Sequence, residues 1–295
     1  MLKGLIISMR PWQWYKNLIL FAGIVFSMNL MDLELWFTAI SAFVLFCILS
    51  GSEYIINDII DLKKDRVHPV KRNRPIASGE LKIPPALLFA VLLIVCAGVG
   101  SWLINIRFFA VSIIYFFLII LYSLIFKYII VVDVLIVSIS FVIRAVAGCV
   151  AIDVFISPWL IICTFLLALF LALGKRQHEL MLLGDEAKNH RKILGGYTTR
   201  MLDQMVSITT GALITSYSMY TFLVNDYYMM FTIPFVVYGI FRYLFLIHAR
   251  NVGGEPEMLF KDKGMLVCML LWGVLVVGVL YGVFDIAMRF VREIG

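Results

Sequence analysis

The sequence predicts an all-α membrane protein, a polytopic bundle of about nine transmembrane helices. Its 295 residues are 62% hydrophobic and only 15% charged, whereas soluble domains are nearer half apolar and a quarter charged. Long apolar runs recur along the chain, and a helix needs about 20 such residues to cross a bilayer. A water-soluble fold of this length could not bury so much apolar surface. We therefore expect one membrane domain over residues 1–295.

Nine apolar segments are candidate spans. They are residues 18–34, 36–56, 86–104, 108–126, 129–151, 157–174, 203–224, 230–248 and 266–287. The first is interrupted near its end by Asn29 and Asp32. It has no small-residue cleavage site, so we do not expect a signal peptide.

The distribution of positive charge predicts the orientation. The N-terminus and the loops 57–85, 175–202 and 249–265 carry most of the 25 Lys and Arg residues. Because cytoplasmic loops are enriched in these residues, we expect a multi-pass protein of the inner (cytoplasmic) membrane. Its N-terminus and long loops lie in the cytoplasm and its C-terminus outside. This bias also accounts for the formal charge of +6, so no nucleic-acid partner is predicted.

Cysteine and histidine offer no pattern typical of a zinc site. The five cysteines all lie in apolar segments without a CxxC pair, and the four histidines lack metal-ligand spacing. We interpret the cysteines as small apolar residues.

An acidic motif follows the second apolar segment. Glu53, Asn57, Asp61 and Asp65 are four residues apart with Asp58 beside them, and helix positions at this spacing share a face. Ionised groups at membrane depth are costly, by about 2.5–3.5 kcal/mol each. Mg²⁺ favours a few carboxylates together with substrate phosphates, so the motif predicts a metal–diphosphate site. The alternative is a solvated helix end whose acids pair with Lys63, Lys64 and Arg66.

A basic segment comes directly after the motif. Lys71, Arg72 and Arg74 lie between prolines in His68–Gly79. Such a cluster is typical of a phosphate clamp, since arginine binds phosphate bidentately and lysine as a point charge. A juxtamembrane patch for anionic lipid is the alternative interpretation.

Other cations leave two interpretations open. Lys16 follows several aromatic residues, which are typical of a membrane-interface belt, but Arg10 or Lys16 could instead reach a lipid phosphate. Lys127 with Tyr122 is equally ambiguous. Arg144, near mid-membrane, is either functional or paired with another helix, and Arg242 is a further intramembrane cation.

These motifs together resemble the UbiA superfamily of intramembrane prenyltransferases. The resemblance rests on Arg10-Pro-Trp-Gln-Trp-Tyr-Lys16-Asn17 and on Asn57-Asp58-x-x-Asp61-x-x-x-Asp65. The run from His68 to Gly79 is similar to its branch of polyprenyl-phosphate phosphoribosyltransferases (decaprenyl-phosphate phosphoribosyltransferase type). The same branch is indicated by Tyr122, Lys127, Asp133, Arg144, Leu173–Leu180, Tyr197–Gln204 and Pro234–Tyr243.

The resemblance implies a nine-helix bundle with a central cavity open to the cytoplasm and the bilayer. It implies transfer of 5-phosphoribose from phosphoribosyl diphosphate to a polyprenyl phosphate, with release of diphosphate. Prenyltransferases of the superfamily typically carry a second Asp-rich motif after the sixth helix. Lys175 and Arg176 stand at that place here, which fits a donor with an additional phosphate; the alternative interpretation is that they are cytoplasmic anchoring charges.

The resemblance also implies roles for individual residues. Asn57, Asp58, Asp61 and Asp65 would hold Mg²⁺, with Asp58 and Asp61 central to catalysis. Substrate contacts are assigned to Lys16, Asn57, Arg66, Lys71, Arg72, Arg74, Tyr122, Lys127, Arg144, Lys175, Arg176 and Glu179. The lipid phosphate is already anionic, so no general base is assigned.

Two other functions compete with this one. A prenyltransferase acting on prenyl diphosphate and an aromatic or other acceptor shares the fold and the acidic motif, and the missing second Asp-rich motif argues against it. A transporter would also carry intramembrane charges, but its site tends to lie at the midplane on broken helices. Here the polar residues concentrate at one surface.

Overall fold

The computed structural model describes residues 2–183, 192–223, 227–250 and 261–283. Every regular secondary-structure element in these ranges is a helix. The α-helices are α1 Leu2–Ser8, α2 Ala22–Phe26, α3 Leu33–Ile60, α4 Leu62–Val67, α5 Ile83–Ile104, α6 Ile106–Leu124, α7 Val132–Ala151, α8 Pro158–Leu183, α9 Thr199–Leu223, α10 Ile233–Arg250 and α11 Lys263–Leu280. A 3₁₀ helix spans Pro11–Phe21, and shorter ones span Lys71–Asn73, Phe126–Tyr128, Lys192–Gly196 and Tyr227–Thr232.

Seven helical segments in the described part of the chain are long and apolar enough to cross a membrane. They are Leu33–Ile60, Ile83–Ile104, Ile106–Leu124, Val132–Ala151, Pro158–Leu182, Tyr227–His248 and Lys263–Leu280. The predicted span 203–224 lies almost wholly on α9, which is richer in Ser and Thr than these seven. The prediction of an all-helical, multi-pass membrane protein is confirmed. The orientation of its termini stays a prediction.

The first predicted span, 18–34, is wrong as a continuous helix. This stretch instead contains the end of the 3₁₀ helix Pro11–Phe21 and the short α2. The backbone of Leu20 lies so close to Gly148 that a Cβ there would be 1.9 Å from the Leu20 carbonyl oxygen. The chain then turns at Met28, whose φ is 61°. Asp32 ends the break by accepting hydrogen bonds from the N–H groups of Glu34 and Leu35 at the start of α3.

The loop predicted at 175–202 also begins later than expected. Helix α8 continues to Leu183, so Lys175, Arg176 and Glu179 lie on its last turns rather than in a loop. The last predicted span, 266–287, corresponds to α11, and its residues after 283 lie outside the described part of the chain.

The chain divides into two compact units. The first contains Met1–Lys127 and Ile139–Ile156, and the second contains Tyr128–Ser138 and Ser157–Gly295. Helix α7 therefore contributes residues to both. The expectation of one domain over 1–295 stays a prediction.

The first unit is built around α3, which packs against α5 and α6. Phe46 lies at its centre, with its ring 5.6 Å from that of Phe108 and 5.1 Å from that of Tyr115. Asn105 alone separates α5 from α6. It accepts a hydrogen bond from the Phe108 N–H at 2.7 Å and donates to the Val150 carbonyl oxygen at 3.0 Å. One side chain thus caps the N-terminus of α6 and donates a hydrogen bond to a carbonyl group near the C-terminus of α7.

The second unit packs α8 against α9 and α10. Its core includes Phe170, Leu202 and Tyr243, with the rings of Phe170 and Tyr243 5.2 Å apart. Asp262 begins α11 by accepting a hydrogen bond from the Met265 N–H at 2.9 Å.

The contact between Gly148 and Leu20 generates a prediction about stability. A Gly148→Ala substitution would force the backbone of Leu20 away, so we expect the free energy of unfolding to fall by about 1–3 kcal/mol, as for overpacked cores. Thermal unfolding in detergent measures this change. Gly273→Ala on α11 is the matched control, because a Cβ there meets nothing within 4 Å and alanine favours the helix. Equal unfolding midpoints for the two variants would contradict the prediction.

Candidate functional site

The acidic motif lies at the junction of α3 and α4. Asn57 and Asp58 belong to the last turn of α3, Asp61 joins the two helices, and Asp65 lies on α4. Asp58 is 2% exposed and Asp65 3% exposed. Carboxylates this deeply buried need charged or hydrogen-bonding partners, because burial of an unpaired charge is strongly unfavourable.

Three cations supply these partners. Arg10 forms an ion pair with Asp58. The Nη1 of Arg74 donates to Asp58 at 3.1 Å and to Asp65 at 2.5 Å, so these two carboxylates converge on one guanidinium. Lys127 Nζ donates to both carboxylate oxygens of Asp61, at 2.8 and 2.7 Å. The structure therefore brings together the acidic motif, one member of the predicted clamp and Lys127.

The position of Arg10 beside the motif was missed by sequence reasoning, which considered only a contact of Arg10 or Lys16 with a lipid phosphate, as one of two interpretations. Its backbone is left-handed, with φ 53° and ψ 61°, a conformation that costs a non-glycine residue roughly 1–3 kcal/mol. The proline that follows it already disfavours the right-handed helical conformation. The guanidinium lies 4.7 Å from the ring centre of Tyr54. Strain of this kind often accompanies function, but no sequence pattern reveals it.

Of the predicted phosphate clamp, Arg74 is half-buried against the acidic motif, whereas Lys71 and Arg72 are exposed. The segment is anchored to the first unit by Ile76 and Leu81, which are buried in one cluster with residues of α1 and α3. Within the predicted clamp, Arg74 therefore contacts the carboxylates of the acidic motif, whereas Lys71 and Arg72 lie at the surface. Arg66, on α4, is exposed as well.

Two other predicted substrate contacts lie in the first unit. Lys16 Nζ donates to Gln13 Oε1 at 3.1 Å and lies 5.9 Å from the ring centre of Tyr15. Tyr122 is half-buried on α6. Their predicted contacts with substrate stay predictions.

Arg144 lies in a buried polar network of the first unit. It is 5% exposed and donates to Asn17 Oδ1 at 2.9 Å, Ser140 Oγ at 3.1 Å and Tyr115 OH at 2.5 Å. The rings of Tyr115 and Phe141 also lie 4.8 and 5.1 Å from its guanidinium carbon. These contacts favour the structural interpretation of Arg144, in which it joins the 3₁₀ helix to α6 and α7.

The second unit has its own buried ion pairs. Arg176 is 5% exposed and Asp133 0% exposed, and they pair at 2.9 Å. Arg176 also pairs with Glu179 at 2.7 Å, while Lys175 beside it is half-buried. Asp133, a charge inside a predicted span, could have been found by the rule that singled out Arg144.

Tyr197 completes this network. Its hydroxyl donates to Asp133 Oδ1 at 2.9 Å and accepts a hydrogen bond from the Val131 N–H at 2.7 Å. Val131 is β-branched and has a φ of 68°, a strained conformation. Burial, more than the proximity of Asp133, raises the pKa of Tyr197 to about 12.

Arg242 is also paired rather than isolated. It donates to the two carboxylate oxygens of Asp262 at 3.1 and 2.8 Å. Since Asp262 also begins α11, this pair joins α10 to α11.

A divalent cation fits the oxygen ligands of the acidic motif. No group of three His, Cys, Asp or Glu side chains in the described ranges is gathered closely enough to hold a metal alone. Mg²⁺ in phosphate-binding enzymes, however, is usually held by one or two carboxylates plus substrate oxygens. Asp58 and Asp65 already converge on a single positive group, the Arg74 guanidinium. The donor chemistry therefore suits a metal that arrives with a phosphate ligand.

The Tyr197 network generates a prediction about pH dependence. Tyr197→Phe removes two hydrogen bonds, and we expect it to lower the free energy of unfolding at neutral pH by about 1–3 kcal/mol. The raised pKa means that Tyr197 contributes stability in full below about pH 10, the ordinary tyrosine value. That contribution is lost as the pH rises toward about 12, since the folded state then binds the extra proton.

Thermal unfolding midpoints in detergent between pH 7 and pH 11 test this dependence. Wild type should lose stability above about pH 10 more steeply than Tyr197→Phe. Tyr227→Phe, at a tyrosine that is 84% exposed, is the matched control and should follow wild type. Parallel curves for wild type and Tyr197→Phe would refute the assignment.

Comparison with known proteins identifies relatives of the whole chain. The family model for the UbiA prenyltransferase family matches residues 18–272. A decaprenyl-phosphate phosphoribosyltransferase of Mycolicibacterium smegmatis is 33% identical over 290 residues, covering 92% of this chain and 91% of that protein. The protein of the same name from Corynebacterium glutamicum is 30% identical, covering 94% of this chain and 87% of that protein.

Solved structures have the same fold. A UbiA homolog from Archaeoglobus fulgidus bound to GPP and Mg²⁺ superposes with a TM-score of 0.73 at 16% identity, covering 94% of this chain and 99% of that one. The same homolog bound to Cd²⁺ gives a TM-score of 0.70 at 17% identity, covering 94% and 98%. The family match, the relatives and the fold agree with the resemblance in the motifs: the chain belongs to the UbiA prenyltransferase family.

Proposed function

We propose that this transferase moves 5-phosphoribose from phosphoribosyl diphosphate to a polyprenyl phosphate of the decaprenyl type, releases diphosphate and requires Mg²⁺. The observation that carries the proposal is the convergence of Asp58 and Asp65 on Arg74, with Arg10 and Lys127 on the same motif. Interleaved carboxylates and cations suit a ligand that is itself a metal cation bound to a polyanion. The names of relatives aligned over nine-tenths of the chain support the sugar donor.

The alternative is a prenyltransferase of the same family that uses prenyl diphosphate and an aromatic or other acceptor. The lack of a second Asp-rich motif on the last turns of α8 argues against it, because such enzymes typically carry acids where Lys175 and Arg176 lie here. Phosphoribosyl diphosphate has one phosphate more than prenyl diphosphate. A site for it needs additional cations.

Asp58 and Asp65, with Asp61 and Asn57 beside them, would hold the metal against the donor's diphosphate. Bound there, Mg²⁺ would supply Lewis-acid neutralisation of the charge that develops on the leaving diphosphate. Arg10, Arg74 and Lys127 would bind the remaining diphosphate oxygens, since each lies within ion-pair distance of the motif.

The donor's 5-phosphate needs a second basic group. Arg176 is buried and already pairs with Asp133 and Glu179, whereas Lys71 and Arg72 are exposed on the segment that carries Arg74. We therefore assign the 5-phosphate to Lys71 and Arg72. Arg176 and Glu179 would keep the end of α8 in place.

The reaction forms one bond and breaks one. An anionic oxygen of the lipid phosphate attacks C1 of the ribose, and the bond from C1 to diphosphate breaks with both electrons leaving on diphosphate. The anomeric carbon gains positive charge in between, which nearby carboxylates such as Asp61 would stabilise. No proton is removed from the nucleophile, so the mechanism assigns no general base. The soluble donor would enter from the cytoplasmic side.

A transfer assay tests the proposal. Purified protein in detergent is incubated with Mg²⁺, radiolabelled phosphoribosyl diphosphate and a polyprenyl phosphate, and the lipid phase is extracted. We expect label in the lipid, abolished by EDTA and lowered at least about 100-fold by Asp61→Asn, because a metal or charge-stabilising group is lost.

Asp153→Asn is the matched control, since Asp153 is exposed and forms an ion pair away from the motif with Arg107; it should transfer label as wild type does. A parallel incubation supplies prenyl diphosphate and aromatic acids. Prenylated product in that incubation, without label in the lipid phase, would show that the donor is prenyl diphosphate rather than phosphoribosyl diphosphate. The proposed metal site would be unaffected by that result.

A further inference from the structure

The three aspartates of the acidic motif are matched by three cations without a metal. Asp58, Asp61 and Asp65 carry three negative charges, and Arg10, Arg74 and Lys127 contact them with three positive charges. The carboxylates at Asp58 and Asp65 are almost fully buried. A metal that binds alone would leave a surplus of positive charge among these side chains, so the cations compete with it for the same oxygens.

A ligand that brings negative charge together with the metal removes this surplus. The diphosphate oxygens offer the cations new partners, and the vacated carboxylates become available to the metal. We propose that Arg10, Arg74 and Lys127 are exchangeable counter-ions: they hold the aspartates while the site is empty and transfer to phosphate oxygens when metal and diphosphate bind together. The inference rests on the proposed function, because it describes a second state of the same site.

The contacts of Arg10 make it suited to such an exchange. Its guanidinium lies against the Tyr54 ring, an attraction that remains whichever anion the arginine faces. Its side chain is 13% exposed while that of Asp58 is 2% exposed, so the arginine is more accessible than the carboxylate. If Arg10 moved to a phosphate, Asp58 would keep only its contact with Arg74 among the described residues. The structure thus assigns to Arg10 a place among the diphosphate-binding residues.

Lys127 and Arg74 are also suited to exchange a carboxylate for a phosphate, for different reasons. The Lys127 ammonium is a point charge on a flexible chain, and it binds Asp61 through both oxygens. Arg74 bridges Asp58 and Asp65 and has a side chain that is 25% exposed. Each of the three cations is therefore partly exposed while it contacts its carboxylate.

The exchange predicts effects of opposite sign for a single substitution. Removing a cation removes the metal's competitor, so the metal alone should bind more tightly. The same substitution removes a ligand of the diphosphate, so diphosphate should bind less tightly in the presence of metal. A residue that only stabilised the fold would weaken both.

Two titrations on the full-length protein in detergent measure these effects. Mn²⁺ binding without any phosphate ligand is followed by the electron paramagnetic resonance signal of free Mn²⁺. Binding of radiolabelled inorganic diphosphate at saturating Mg²⁺ is followed by equilibrium dialysis. For Lys127→Met and Arg10→Met we expect Mn²⁺ affinity to rise and diphosphate affinity to fall, each on the order of tenfold for one unit charge near the site.

Controls separate charge from shape and from folding. Lys127→Arg keeps the charge and should keep the weak metal affinity of wild type. Arg107→Gln removes an exposed cation that pairs with Asp153 and should leave both constants unchanged. Mg²⁺ alone should raise the unfolding midpoint of the two Met variants more than that of wild type, which also shows that the variants are folded.

Each outcome decides the inference. Unchanged or weaker Mn²⁺ binding by both Met variants overturns it, while phosphoribosyl transfer by wild type would still uphold the proposed function. Wild type that binds neither Mn²⁺ nor diphosphate overturns the inference and the proposed metal site together. Tighter metal binding with weaker diphosphate binding supports the exchange.

Discussion

The described part of this protein buries charges that its apolar surroundings cannot leave unpaired. In hydrocarbon no water compensates an isolated ion, and Asp58, Asp133, Arg144 and Arg176 are each at most 5% exposed. Each of them has ion-pair or hydrogen-bond partners. Removing one partner of such a pair is expensive because a buried charge remains. The pairs consequently determine which helices must be neighbours within each unit.

Arg144 illustrates this constraint. Its partners come from three elements of the first unit: Asn17 from the 3₁₀ helix, Tyr115 from α6 and Ser140 from its own helix. Asn17 in turn donates to Ser50 on α3 at 3.1 Å. Directly and through Asn17, one guanidinium therefore links four elements, and these hydrogen bonds tie the 3₁₀ helix Pro11–Phe21 to α3 and α7.

Features that depend on residues close together in the chain were predicted from the sequence, whereas contacts between residues far apart in the chain were missed. The apolar runs predict most of the spans, because that pattern lies within one helix. The four-residue spacing of the acids predicted a single helix, whereas the structure ends α3 at Ile60 and begins α4 at Leu62, with Asp61 between them. The 3₁₀ helix and short α2 before α3 were not predicted, and Leu20 in this stretch lies against Gly148, more than a hundred residues away. The pairing of Arg176 with Asp133 likewise joins α8 to α7. The contact between Arg10 and Asp58 depends on a left-handed backbone that a non-glycine residue rarely adopts.

Side-chain exposure distinguishes the cations of the acidic motif from Arg176. The side chains of Arg10, Arg74 and Lys127 are 13%, 25% and 11% exposed, whereas that of Arg176 is 6% exposed. Coulombic attraction weakens where water is near, so the first three pairs can be exchanged for phosphate at lower cost than the last. Phosphate also attracts arginine and lysine strongly through several oxygens at once. The same pairing that permits burial of the acidic motif thus keeps its cations at the place where a phosphorylated substrate would be bound.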